Sequence, residues 1–225
     1  SQALALCERA EKSGFEGHLV FVSSLAERRH ERWGAPLADD WKGEPWPDDQ
    51  YGQGKRSARE LLQSRFDRVT TLLLPRLLFG DGVRRRWRDL AAWIRTTGVL
   101  PVPGSGDQRC SAIGIEDTAG LLAAVCAARD GDISRLGHRT FAVGPPPDLQ
   151  LPTVAMLLES FADGANLSYR SAKTHANEPV GLSTLFSAGA EVCDCAAVHR
   201  VVTGLRWTLA LDVCRQIGAD LDDRV

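Results

Sequence analysis

Tyr51 and Lys55 are the residues of this sequence whose types and spacing best suit acid–base chemistry. Residues four positions apart lie about one turn apart on the same face of a helix. A free tyrosine ionises near pH ~10, and a cation within roughly 4–6 Å of a phenol favours the charged form. We therefore expect Lys55 to lie beside the phenol and Tyr51 to exchange a proton with a substrate. The alternative is an ordinary pair of surface side chains.

Ser24 is the third candidate, because it ends a short apolar run that is typical of a buried parallel strand. The run from His18 to Ser24 reads HLVFVSS, and such continuous apolar sequences form strands that are covered on both faces. Ligands of open α/β sheets bind in the crevice beyond the carboxyl ends of the strands. The Ser24 hydroxyl is therefore expected to hydrogen-bond the substrate oxygen that Tyr51 contacts. The alternative is a strand-end hydroxyl that caps a turn.

Strand and helix patterns alternate along the chain, which favours a doubly wound parallel α/β sheet. Short apolar runs predict strands at residues 19–22, 69–74, 111–115 and 140–143. Apolar residues at helical spacing predict helices at 2–13, 51–66, around 87–94, from Asp117 as N-cap through 125, from 152 to 161, and through 207–214. Three segments are predicted to be irregular: 25–50, 101–106 and 163–200.

Four blocks of the sequence resemble the extended short-chain dehydrogenase/reductases, in order and in spacing. They are VSS at 22–24, YGQGK at 51–55, VTTLLLPRLLFGDG at 69–82 and SAIGIED at 111–117. Within that family the sequence is most similar to the NAD-dependent nucleotide-sugar epimerases and dehydratases, over about residues 1 to 160. The resemblance implies a Rossmann-like fold, NAD or NADP as cofactor, and a nucleotide sugar as substrate.

The resemblance also implies a role for each matching residue. Tyr51 is the acid/base, Lys55 contacts the cofactor ribose and stabilises the phenolate, and Ser24 hydrogen-bonds the reacting oxygen. Pro75 belongs to the strand-end block that meets the cofactor. Arg109 lies close to a family arginine that clamps the substrate diphosphate, a task for which a bidentate guanidinium is suited.

The sequence departs from the family pattern at several positions. The segment ERRH at 27–30 stands where the family has Tyr-Gly, and Leu74 and Leu77 replace an arginine and an asparagine. The glycine-rich turn that cradles dinucleotide phosphates at a helix N-terminus does not occur. These departures keep two alternatives open: an NAD(P)H-dependent carbonyl reductase of a small apolar substrate, and a non-catalytic, truncated member of the family.

The resemblance predicts two regions in this chain. Residues 1–80 are expected to be the C-terminal half of a Rossmann-like NAD(P)-binding domain whose N-terminal strands are missing from the chain. Residues 81–225 are expected to form a small substrate-binding region interleaved with the last strands of the sheet. An uncovered sheet edge invites association, so we expect the isolated chain to bind NAD poorly, to be inactive, and to form homodimers or larger aggregates.

Composition favours a cytoplasmic protein without nucleic-acid or membrane partners. Hydrophobic residues make up 44% of the chain and the net charge is −2, which gives no reason to expect a polyanionic partner. No apolar run of about 18 residues predicts a membrane span. The six cysteines lack a framework spacing, so free thiols are expected. The CDC sequence at 193–195, followed by His199, lacks a fourth ligand, so we expect no metal.

Overall fold

The computed structural model describes residues 2–28, 45, 47, 49–75, 78–79, 84–127, 138–146, 149–174, 195–202 and 204–222. The helices are α1 (Gln2–Lys12), α2 (Gln50–Arg65), α3 (Arg84–Thr97), α4 (Ile115–Ala127), α5 (Val154–Gly164), α6 (Ala196–Val201) and α7 (Ala210–Asp222). The strands are β1 (Leu19–Ser24), β2 (Val69–Leu74), β3 (Leu78–Phe79), β4 (Val99–Pro103), β5 (Ile113–Gly114), β6 (Arg139–Ala142) and β7 (Arg170–Thr174). None of the described helices has the length and apolarity needed to cross a membrane.

A parallel sheet of three strands, in the order β1-β2-β6, carries Ser24 at the end of β1, and Pro75 directly follows β2. Leu19–Ser24 pairs in register with Val69–Leu74, and the helix α2 crosses between the two strands as a parallel connection requires. Strand β2 is buried along its whole length, as its apolar run predicts. Strand β1 is at the edge of the three and is half-buried from Leu19 to Val22. The predicted α/β class with parallel strands is confirmed.

Two large apolar clusters and one small cluster hold these elements together. One large cluster lies around the sheet and joins β2 and β6 to α4 and α6. The other joins α3, β4, α5 and α7, and contains the Trp87 and Phe161 rings with centroids 4.6 Å apart. Full burial of one such side chain stabilises the fold by about 1.5–3 kcal/mol. The first of these clusters packs helices against the sheet that carries Ser24.

The small cluster attaches α2 to the sheet and to α1. Leu62 and Phe66 pack with Cys7 of α1 and Val69 of β2, as the apolar stripe of α2 predicts. Arg65 at the end of α2 forms an exposed ion pair with Glu11 of α1, 2.9 Å between Nη1 and Oε1. An exposed pair of this kind contributes little, about 0–1 kcal/mol. At its C-terminal end, the helix that carries Tyr51 is therefore anchored mainly by apolar contacts.

Two strands replace segments that were predicted to be irregular, so those predictions are wrong there. Residues 99–103 form β4, which pairs in parallel with β7 at residues 170–174. Pro101 and Pro103 are two positions apart, so both lack an N–H on the same edge of the strand, and an edge strand tolerates this. Strand β7 is mostly exposed and has no apolar pattern to reveal it. Its main chain pairs with β4 instead.

Three boundaries near the C-terminal half also differ from the prediction. Helix α4 begins at Ile115, so Asp117 lies in its first turn and is not the N-cap. Helix α6 (Ala196–Val201) overlaps the end of the segment 163–200 that was predicted to be irregular. Trp207 precedes α7 and packs against the edge of the His199 ring, with centroids 4.9 Å apart. The segments 29–44, 80–83 and 175–194 lie outside the described residues.

Asp117 joins α4 to the segment before α7. Its carboxylate accepts hydrogen bonds from the backbone N–H of Thr208, at 3.2 and 3.3 Å, and from the Thr208 hydroxyl at 3.3 Å. Burial raises the pKa of Asp117, and the hydrogen bonds from Thr208 oppose that rise. Because the pKa is raised on folding, stability linked to the protonated carboxyl is present below the unfolded value and lost as the pH rises through the folded value.

We therefore predict that the free energy of unfolding of Asp117→Asn, relative to that of the unmodified chain, increases as the pH rises from about 4 to 7. An amide oxygen still accepts from Thr208 but carries no charge to desolvate. Urea unfolding across this pH range gives the difference, with the exposed neighbour variant Glu116→Gln as the matched control. A difference between Asp117→Asn and the unmodified chain that stays constant with pH contradicts the assignment.

Candidate active site

Ser24 ends β1 and begins a single 3-10 turn formed by residues Leu25–Glu27. Its Oγ accepts a hydrogen bond from the backbone N–H of Ala26 at 3.2 Å, and its side chain is buried. The capping role that was one alternative for Ser24 is therefore present. A hydroxyl that accepts one bond still has its own O–H to donate, so capping does not remove Ser24 from the chemistry.

Tyr51 lies in the first turn of α2, which begins at Gln50. Asp49 is the N-cap, and its Oδ1 accepts a hydrogen bond from the backbone N–H of Gly52 at 2.9 Å. A capping carboxylate also interacts favourably with the positive end of the helix dipole. Tyr51 is 60% exposed, so a ligand outside the chain can reach its side chain.

Lys55 lies between the Tyr51 ring and β1. Its Nζ donates a hydrogen bond to the Val22 carbonyl at 3.2 Å. The same nitrogen is 5.8 Å from the centroid of the Tyr51 ring and 5.5 Å from that of Phe21, within the range of a cation–π contact. Tyr51 and Lys55 are neighbours, as their spacing predicts. The lysine also binds the strand at Val22, two residues before Ser24.

Gly52 brings the first turn of α2 against the turn that follows Ser24. A Cβ at position 52 would overlap the Ala26 carbonyl and would lie 2.9 Å from Asp49 Oδ2. Gly54, by contrast, has open space where a Cβ would stand. The sequence showed both glycines only as residues that weaken a helix. The close approach at Gly52 depends on a partner 26 positions away, which no local pattern reveals.

Pro75 and Ser24 both lie where the strands of the sheet have their carboxyl ends. Ser24 pairs with Leu74, and Pro75 directly follows Leu74 and is buried. Arg109 lies elsewhere, in an exposed position of the segment between β4 and β5. Its backbone forms an antiparallel bridge with Thr153, the residue that precedes α5. The structure thus brings together Ser24, Tyr51, Lys55 and Pro75. A substrate contact by Arg109 stays a prediction.

The third strand of the sheet, β6, ends at a group of packed side chains. The His199 Nε2 lies 3.0 Å from the Gly144 carbonyl, and Cys195 is buried beside Gly144. These contacts give His199 a packing role. Cys193 and Asp194 lie outside the described residues, and within those residues no group of three potential metal ligands occurs.

We predict that Gly52→Ala destabilises the fold by about 1–3 kcal/mol, because the added methyl forces α2 away from the Ala26 carbonyl. Gly54→Ala, two positions further along the same helix, is the matched control. It is expected to be neutral or to stabilise by up to about 1 kcal/mol through helix propensity. Urea unfolding measures both. Equal effects of the two substitutions would show that the contact at Gly52 is not tight.

No protein-family model and no curated protein match this chain. Solved structures do match it. RMD from Pseudomonas aeruginosa, complexed with NADPH, is 16% identical with a TM-score of 0.74, and the match covers 99% of this chain and 72% of that one. UDP-glucuronic acid 4-epimerase from Bacillus cereus, in complex with NAD, is 12% identical with a TM-score of 0.71, covering 98% and 67%.

A third match is dTDP-glucose 4,6-dehydratase from Bacillus anthracis, in complex with NAD. It is 11% identical with a TM-score of 0.68, and the match covers 99% of this chain and 67% of that one. At these identities the likeness is one of fold. The chain therefore has the Rossmann-type fold of NAD-dependent sugar-nucleotide epimerases and dehydratases, as its sequence resemblance predicts, and spans about two-thirds of their length.

Proposed function

We propose that this chain is part of an NAD-dependent epimerase or dehydratase that acts on a nucleotide sugar. The observation that carries the proposal is the position of the Lys55 ammonium, between the Tyr51 ring and the end of the strand that carries Ser24. The chain also has the fold of enzymes with such activities. Fold alone does not define function, so the local geometry is the stronger support.

The side chains at this edge of the sheet suit the nicotinamide–ribose part of NAD. An ammonium has three donors, and the bond from Lys55 to the Val22 carbonyl uses one of them, so ribose hydroxyls can accept the others. Pro75 closes the neighbouring strand at the same edge. The sequence contains no glycine-rich phosphate turn, so we assign these residues to the ribose end of the cofactor only.

The proposed mechanism divides the proton chemistry among three side chains. Bound NAD would accept a hydride from the sugar and could later return it. Tyr51 takes the proton of the reacting sugar hydroxyl as general base, and the Lys55 ammonium lies beside its ring. Ser24 donates its O–H to the same sugar oxygen and orients it. Arg109 is proposed to bind the diphosphate of the substrate.

We predict that Tyr51→Phe lowers kcat at least 100-fold, since general acid–base catalysis contributes about 10²–10⁴-fold. The matched control is Tyr169→Phe. Tyr169 is the only other tyrosine of the chain and donates a hydrogen bond to Asp163 at 3.1 Å. Turnover of UDP- and dTDP-sugars with NAD, measured on the intact protein, tests this. Unchanged turnover by Tyr51→Phe would exclude Tyr51 as the acid/base.

The carbonyl reductase remains the second candidate, because Leu74 is an apolar, buried residue at the carboxyl end of β2 where the family has an arginine. Reduction of a ketone would use the same proton-transfer residues. We expect UDP- and dTDP-sugars, added with NAD, to raise the thermal midpoint of the intact protein, and apolar ketones, added with NADPH, to leave it unchanged. Stabilisation by the ketones alone would favour the reductase.

A further inference from the structure

Glu27 and Arg59 form an ion pair, with a buried carboxylate and a half-buried guanidinium, between the turn that follows Ser24 and the helix that carries Tyr51. The Arg59 Nε donates to Glu27 Oε2 at 2.7 Å, and the side chains are 21% and 0% exposed, respectively. Gln63, one turn further along α2, accepts from the Arg59 Nη1 at 3.2 Å. The Arg59 guanidinium therefore binds both Gln63 of its own helix and the Glu27 carboxylate of the facing turn.

The ion pair completes a row of contacts along one face of α2. Tyr51, Lys55 and Arg59 are spaced four residues apart, so they lie on the same face of the helix. Lys55 contacts the Val22 carbonyl, and Gly52 abuts the Ala26 carbonyl. Arg59 contacts Glu27, which lies three residues after Ser24. Each contact ties α2 to the end of β1 or to the turn after it.

Stability alone does not account well for this ion pair. Glu27 Oε1 is buried and has no hydrogen-bond partner among the described residues, so the carboxylate keeps part of its desolvation cost. Buried ion pairs are often no more stabilising than apolar side chains of the same size, although breaking one by removing a single partner is costly. A directional contact is better suited to fixing the position of one element against another.

We propose that Glu27 and Arg59 are positioning residues that fix the first turns of α2 against the Ser24 turn, and so hold the Tyr51 phenol in reach of the oxygen that Ser24 contacts. The inference rests on the proposed function, since it assigns Tyr51 and Ser24 to one substrate oxygen. The ion pair itself touches neither reacting atom. Its effect is exerted through the orientation of α2.

The two tyrosines of the chain allow a test that needs no substrate. Incorporation of 3-fluorotyrosine gives a ¹⁹F resonance for each tyrosine, including Tyr51 and Tyr169, and Tyr51→Phe and Tyr169→Phe each assign one of them. Tyr169 follows α5 and donates a hydrogen bond to Asp163 of that helix, so its resonance reports the rest of the fold. The variants are Glu27→Gln, Arg59→Gln and the double variant. Glu11→Gln, which makes the same change in an ion pair at the other end of α2, is the matched control.

We expect Glu27→Gln and Arg59→Gln each to shift or broaden the Tyr51 resonance and to leave that of Tyr169 unchanged. The double variant should resemble either single variant, because the pair is already broken, and Glu11→Gln should change neither resonance. If Arg59→Gln does not fold, Arg59→Lys keeps the charge but loses the Nε geometry, and the same shift of the Tyr51 resonance is expected. An unmoved Tyr51 resonance, or equal movement of both resonances, overturns the positioning role.

Turnover of UDP- and dTDP-sugars by the same variants of the intact protein separates this inference from the proposed function. A positioning role predicts that Glu27→Gln lowers kcat about tenfold or more while KM changes little, because a misplaced general base costs rate more than binding. A shifted Tyr51 resonance with unchanged kcat overturns the inference but leaves the function intact. Absence of turnover in the otherwise unmodified intact protein contradicts the function, and the ¹⁹F result still decides whether the pair positions Tyr51.

Discussion

The close approach of α2 to the 3-10 turn after β1 is the contact on which the candidate site depends. It is permitted because residue 52 has no side chain, so that the backbone of the helix meets the Ala26 carbonyl directly. A larger residue would push the helix outward and would carry Tyr51 and Lys55 with it. The apolar contacts of Leu62 and Phe66 hold the other end of the helix. The site is thus built from one tight backbone contact and one distant apolar anchor.

Polar contacts refine the geometry that these two features allow. Asp49 satisfies the backbone N–H of Gly52 at the start of the helix, and Ser24 satisfies that of Ala26 in the facing turn. Both caps fix main chain next to a residue with a proposed chemical role. Lys55 then joins helix and strand through the Val22 carbonyl. Preorganisation of this kind keeps reacting groups in place before the substrate binds.

The sequence predicted well the parts of the fold that apolar patterns encode locally. The strand Val69–Leu74 was located to the residue, and α2 to within one residue at either end. The pairing of Tyr51 with Lys55 followed from helical spacing alone. Strands β4 and β7 were missed because their stability comes from each other, across about 70 residues, and because β4 contains two prolines and β7 few apolar residues. Propensity is a weak guide where tertiary pairing decides.

The site was predicted less completely than the fold. Lys55 reaches from beside the Tyr51 ring to the strand that ends in Ser24, and Pro75 follows the residue paired with Ser24, but the sequence could not show the contacts that place them there. Glu27 was visible only as a departure from a family pattern, and its partner Arg59 lies 32 residues away on α2. Asp117 was expected to cap a helix and instead binds Thr208, 91 positions later. Long-range polar contacts have no periodic signature, so such residues become visible only in the folded chain.

Tyr51 and Ser24 are proposed to act on one oxygen of the substrate. The most direct test is an experimental structure of the intact protein with NAD and UDP-glucose bound. Two groups that each hydrogen-bond a common atom lie within about 2.6–3.2 Å of it, so the account predicts a Tyr51 Oη to Ser24 Oγ separation of no more than about 6 Å. Bound ligands with these two oxygens more than about 10 Å apart, or with a sugar oxygen near neither, would contradict it.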